Sequence, residues 1–145
     1  MELSPLTGGA VVDEKLMTSV PGVFSCGNVL HIHDVADFAS DDGFRAGEAA
    51  AEFVKSGRPA EPGLRVRPGD GGRYALPQRI GKGAAGVKLA FRVARPRKDC
   101  RITVRGLDSG RAYFRKAYKR LLPSELHRVV VRPSVTEDLE VACHG

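Results

Sequence analysis

From residue 87 onward the chain alternates apolar and polar side chains with period two, and no other feature constrains its fold so tightly. "VKLAFRV" sets Val87, Leu89, Phe91 and Val93 against Lys88, Ala90 and Arg92, the pattern of a half-buried strand. "RITVR" (Arg101–Arg105) and "DLEVACH" (Asp138–His144) alternate likewise, and "RAYFRKAY" and "LHRVVVR" add β-rich runs. Between them stand the turn clusters "PGDGG", "GKGAAG", "RPRKD", "GLDSG" and "LLPSE". Strands at this spacing predict a small all-β sandwich of about six or seven strands over residues 62–145.

The first 61 residues follow another rule. Val11 and Val12, then Val20 to Cys26, read as short strands between Gly, Pro and Asp. From about Asp37 the period becomes helical, with Phe38, Phe44, Gly47, Ala50, Ala51, Phe53 and Val54 on one apolar, small-residue face. Ser40 followed by Asp41 and Asp42 supplies an N-terminal cap and two acids, and Gly57 with Pro59 supplies the stop. One helix and a few short strands in so few residues cannot enclose a substantial core. The segment is therefore expected to be part of a larger α/β sheet whose other strands lie elsewhere.

Charge divides the chain at the same place. Residues 1–61 carry four Lys/Arg against ten Asp/Glu, a net of −6, and residues 62–145 carry nineteen against seven, a net of +12. The break falls in "SGRPAEPG", Ser56 to Gly63, and we divide the chain there into units 1–61 and 62–145. The basic strands are expected to present a solvated face or to dock on an acidic partner surface, to which the first unit itself can belong. Nucleic acid is disfavoured, because the cations repeat along every strand instead of clustering. The exception is "GRAYFRKAYKR", which interleaves Tyr113, Phe114 and Tyr118 with five cations. No run approaches the roughly 20 apolar residues of a membrane span. "MELSPLTGGA" lacks the basic and apolar regions of a signal peptide, so the expected location is cytoplasmic. Three widely spaced cysteines, Cys26, Cys100 and Cys143, fit thiols in a reducing compartment better than a disulfide framework.

The run Thr18-Ser19-Val20-Pro21-Gly22-Val23-Phe24-Ser25-Cys26-Gly27-Asn28 resembles the second flavin-binding motif of FAD-dependent pyridine nucleotide-disulfide oxidoreductases. That motif reads Thr-x-x-x-Gly-(hydrophobic)-Phe/Tyr-Ala-x-Gly-Asp. Thr18, Gly22, Phe24 and Gly27 match it, while Ser25 replaces Ala and Asn28 replaces Asp. The helix "DDGFRAGEAAAEFV" is similar to the family's Glu-Gly-x-x-Ala-(Gly)-x-x-Ala-Ala helix, and the likeness is greatest to the glycerol 3-phosphate dehydrogenase-like branch. It covers roughly residues 5–56. It implies an α/β fragment, the last strands and helix of a Rossmann-like FAD-binding domain, ahead of the β-sandwich.

The resemblance also implies roles. Gly27 would let backbone approach FAD without a Cβ in the way, and Asn28 would hydrogen-bond a ribityl hydroxyl without charge. The helix N-terminus, at Val35, Ala36 and Asp37, would lie nearest the isoalloxazine ring and stabilise negative charge on reduced flavin. The one GxGxxG-spaced run, Gly81 to Gly86, leads into the strand pattern "VKLAFRV" and not into a helix, so no glycine opens a Rossmann unit, and the chain has no NAD(P)-binding half and no redox CxxxxC. The expected function is that of a C-terminal portion or subunit of a flavin-dependent oxidoreductase. It would work with a polypeptide carrying the GxGxxG halves, on a small-molecule substrate and with NAD(P) as co-substrate. Alone it is expected to bind FAD poorly and to lack self-sufficient catalysis. The alternative is a non-enzymatic basic β-sandwich module that binds nucleic acid or an acidic protein.

"HIHD", His31 to Asp34, invites two further readings. His31 and His33 at i and i+2 on extended backbone can both face one metal ion, but no third ligand is evident beyond speculative choices in Cys26 and Asp37, so no metal is assigned. Under the flavin resemblance His31 and His33 are weak catalytic candidates, an imidazole facing flavin or substrate as proton donor. Plain loop structure outranks both roles.

Overall fold

The computed structural model describes residues 1–57 and 63–145. The proposed boundary between units, at residues 61 and 62, lies outside the described residues. One helix is followed by eight strands in two open sheets, and the fold is mostly β. A 3-10 turn, Gly27–Val29, precedes α1 (Ala36–Ser56). The strands are β1 (Leu64–Pro68), β2 (Gly72–Leu76), β3 (Arg79–Ile80), β4 (Val87–Val93), β5 (Arg97–Gly106), β6 (Ala112–Leu121), β7 (His127–Val131) and β8 (Leu139–His144). A mixed sheet runs β3-β1-β8-β5-β6, with β1 parallel to β8, and an antiparallel sheet runs β2-β4-β7.

The alternating runs become β4 to β8, as their period requires. β1, β2 and β3 carry a weaker signal: they are short, and β2 bulges between Gly72 and Tyr74. Val87, Leu89, Phe91 and Val93 of β4 meet Ile102, Val104, Leu139 and Val141 of the other sheet in one core. Burying each such aliphatic side chain contributes about 1.5–3 kcal/mol.

The sheet β2-β4-β7 packs side chains on both faces, although Lys88 and Val130 stay exposed on the outer one. Tyr74 and Leu76 of β2, with Leu126, join Ala10, Val12, Leu16, Leu30 and Ala46 in a second cluster on its outer side. The acidic first segment thus completes its core against the basic strands. Charge follows apolar contact: Arg79 pairs with Glu2 at 2.9 Å, Arg128 with Asp41 at 3.2 Å, and Lys88 with Asp41 at 3.7 Å.

Several expectations fail within residues 1–57. Val11–Val12 and Val20–Cys26 form no strand; the pairing is limited to isolated bridges Leu3–Ala10, Val12–Thr18 and Met17–Phe24. The reason is local: Pro21 and Gly22 turn the chain, so that Thr18 donates its N–H to Val23 at 2.7 Å across a tight loop. α1 begins before Ser40, which sits inside the helix; its N-cap is Val35, whose side chain makes no capping hydrogen bond. The stop is as expected, with Gly57 left-handed and its N–H donated to Phe53 at 2.7 Å. The buried stripe of α1 is Asp42, Ala46 and Ala49, whereas Phe44 is 76% and Val54 83% exposed. The helix therefore turns small side chains and one acid fully inward, keeps Phe38 and Phe53 half-buried, and turns Phe44 and Val54 outward.

Candidate functional site

The acid that α1 buries is the centre of the site. Asp42 enters from the second turn of the helix, and His31 and His33 arrive from the loop that the Gly27–Val29 turn begins. His33 Nε2 lies 2.8 Å from Asp42 Oδ2, and His31 Nε2 lies 3.8 Å from the same oxygen. The side chains are 3% (His31), 2% (His33) and 5% (Asp42) exposed. The two imidazoles sit with centroids 4.3 Å apart.

The far side of each ring is also held. Asn28 Oδ1 accepts the His33 N–H at 3.1 Å and lies 3.3 Å from His33 Nδ1. Tyr74 Oη lies 3.4 Å from His31 Nδ1 and accepts from Arg92 Nε at 2.9 Å. Asp42 divides its oxygens: Oδ2 faces the imidazoles, and Oδ1 accepts from Arg45 Nη1 at 3.0 Å with Arg128 Nη2 3.6 Å away.

Burial alone would push the Asp42 carboxyl up. The imidazoles of His31 and His33, with the Arg128 and Arg45 guanidinium groups, outweigh burial and hold it well below the usual carboxylate range. His31 moves the other way to a usual imidazole: burial lowers it, with Asp42 offsetting only part, so its neutral form is favoured.

Asp34 leaves the "HIHD" cluster altogether. It accepts from Arg92 Nη2 and from the Leu126 N–H, each at 2.6 Å. These donors outweigh burial and lower its carboxyl. Arg92 also donates to the carbonyls of Ile32 at 2.9 Å and Ser124 at 2.5 Å, tying the histidine loop to β4 and to the chain ahead of β7.

The other sequence candidates lie on the surface beside this cluster. Gly27 is left-handed at φ 68°, and a Cβ there would meet open space. Asn28, Val29, Ile32, Val35, Ala36 and Asp37 are exposed. Neither Cys26 nor Asp37 joins the histidines; Cys26 is a half-buried free thiol and packs beside the second cluster. Asp42, Tyr74, Arg92, Arg45 and Arg128 belong to the site and were not singled out as such from sequence. The acidic pair at 41–42 was visible, but read as a helix start.

A cavity of about 250 Å³ opens against His31 and Asp42. Its walls are Leu16, Leu30, Leu76 and Val129, and Arg45, Lys88 and Arg128 rim it. The arrangement brings two imidazole nitrogens and one carboxylate oxygen within 4.8 Å of one another, beside a cavity whose edge carries these three cations and Asp41. Compared with known proteins, the chain finds no match among protein families, curated proteins or solved structures.

Proposed function

We propose that this chain contributes one wall of an FAD site in a flavin-dependent oxidoreductase, in which a second polypeptide carries the GxGxxG phosphate-binding half. In this reading residues 1–61 are the end of a Rossmann-like FAD-binding domain, and 62–145 are a β-sandwich that supports it. Gly27 and Asn28 contact the ribityl chain, and the N–H groups at Val35, Ala36 and Asp37 face the isoalloxazine ring. NAD(P) and a small-molecule substrate complete the reaction, in the cytoplasm.

The observation that carries the reading is where the apolar surface falls. Val29 is 75%, Ile32 70% and Val35 49% exposed, and they flank the residues that the motif assigns to the cofactor. Met1, Leu3, Leu6, Val20, Val23, Phe44 and Val54 extend the exposure over the same half, whereas Val130 is the sole large apolar residue exposed beyond residue 57 among those described. Surface of this kind marks an interface or a ligand site. Asn28 spends its oxygen on His33, so its amide N–H₂ remains to donate to a ribityl hydroxyl. Tyr113 is buried and donates to Glu137 at 3.1 Å, which removes one aromatic platform from the nucleic-acid reading.

The test is flavin uptake. Purified alone, the chain should lack flavin absorbance; co-purified with a polypeptide bearing the GxGxxG half, it should retain FAD, and Gly27→Val should abolish retention. Equal FAD retention with the Gly27→Val chain, or with this chain left out, would overturn the assignment.

A further inference from the structure

We propose that His31, His33 and Asp42 form a binding site for one borderline divalent transition ion of the zinc class. The claim is separate from the flavin reading and is tested without flavin.

The first ground is convergence. One ligand atom from each of the three residues lies within 4.8 Å of the others, in a buried setting. Bonds of about 2.0–2.2 Å to zinc require tetrahedral donor separations of roughly 3.3–3.5 Å. The His33–Asp42 separation of 2.8 Å and the His31–Asp42 separation of 3.8 Å bracket that range, and the two imidazole nitrogens stay within 4.8 Å of each other.

The second ground is outer support. A ligating histidine ordinarily gives its other ring nitrogen to a hydrogen-bond partner that fixes tautomer and orientation. Both rings here have one: Asn28 Oδ1 at His33 Nδ1 and Tyr74 Oη at His31 Nδ1. Each ring therefore presents Nε2 toward Asp42. The carboxylate is oriented in the same manner, by Arg45 on Oδ1, leaving Oδ2 for the ion.

The third ground is access. His31 and Asp42 line the cavity of about 250 Å³, so the coordination positions that the protein leaves open face space for water or a small anion. Two nitrogens and one oxygen select zinc, cobalt(II) or iron(II) over magnesium, which demands more oxygen ligands. The charges of Arg45 and Arg128 oppose the ion. Asp41 offsets Arg128 at 3.2 Å, whereas Arg45 stays paired with Asp42 Oδ1 at 3.0 Å while its other nitrogen reaches the Glu14 carbonyl at 3.3 Å, so Asp42 shares its charge between that guanidinium and the ion. Micromolar rather than nanomolar affinity is the expected consequence.

The test uses the full chain stripped with chelator. Calorimetry with Zn²⁺ should show saturable binding of one ion per chain, and an equal concentration of Mg²⁺ should show none. Cobalt(II) should give a visible spectrum without a thiolate charge-transfer band, separating this site from Cys26, Cys100 and Cys143. His33→Asn retains a polar group toward Asn28 and removes Nε2; it should abolish stoichiometric binding while circular dichroism stays unchanged. Should that variant unfold, the exposed Asn28→Ala serves instead, with affinity falling about 10–100-fold. The proposal is overturned by absence of saturable zinc uptake, by a thiolate band, or by unchanged affinity in whichever folded variant is measured.

Discussion

Arg92 shows what a single buried charge does here. Its guanidinium is almost fully enclosed and donates to Tyr74, Asp34, Ile32, Pro123 and Ser124. Arg92→Leu leaves Asp34 without its cation and several acceptors unpaired. We expect a loss of about 3 kcal/mol, read as a lower urea midpoint. The buried histidines set a pH dependence. His31 and His127 are both lowered from the usual 6.5 by burial, so the unfolded chain binds more protons than the folded one just below that pH. Their contribution is present above 6.5 and is lost as pH falls toward the folded values. Urea midpoints should be higher at pH 8 than at pH 5.5. His127→Leu, replacing a ring stacked on Phe91 and faced by Glu125, Asp34 and Arg92, should flatten part of that slope.

At the scale of elements, the β5–β6 hairpin is fastened by an acid from outside it. Glu137 accepts from the Ser109 hydroxyl at 2.5 Å and from the N–H groups of Ser109 and Asp108 at 2.8 and 3.0 Å. Hydrogen bonds from Ser109 lead the lowering of its carboxyl, so this contribution is present above the ordinary carboxylate range and is lost as pH falls through the lower folded value. A Cβ on Gly106 would fall 2.1 Å from the Glu137 carboxyl carbon. Gly106→Ala should therefore loosen the turn, measured as faster amide exchange at Asp108 and Ser109. On α1 the expectation is the opposite. Phe44→Ser and Val54→Ser remove exposed apolar groups and should change stability by no more than about 0.5 kcal/mol. Both should reduce self-association in sedimentation, if the outward face of the helix is an interface. The strong alternation of β4 to β8 was legible from sequence because a half-buried strand writes its two faces into neighbouring residues. β1 to β3 were not, because their pairing is decided by partners such as β8, more than 70 residues away. The helix was legible in its existence and its stop. Its buried stripe was not, because large apolar residues at Phe44 and Val54 suggested the wrong face.

Across the whole molecule, three layers share two cores, and the middle sheet belongs to both. The acidic segment and the basic strands are joined first by apolar burial and then by ion pairs such as Arg79–Glu2, whose side chains are 35% and 51% exposed. Exposed pairs contribute about 0–1 kcal/mol each and are screened by salt. Raising the salt concentration should consequently leave the urea midpoint nearly unchanged, whereas Leu30→Ala in the second core should lower stability by about 2–5 kcal/mol. No described helix is long and apolar enough to cross a membrane. The sequence by itself determined the existence of the helix and its stop at Gly57, the strands β4 to β8, and the charge contrast between the two ends. Each depends on residues a few positions apart, within reach of local sterics and periodicity. Only the tertiary structure decided that the acidic segment covers the basic sheet, that Asp34 leaves the histidines for Arg92, and that Asp42 takes its place. Those choices depend on which side chains packing brings together, and a carboxylate buried by a helix face carries no local mark of the imidazoles it will meet.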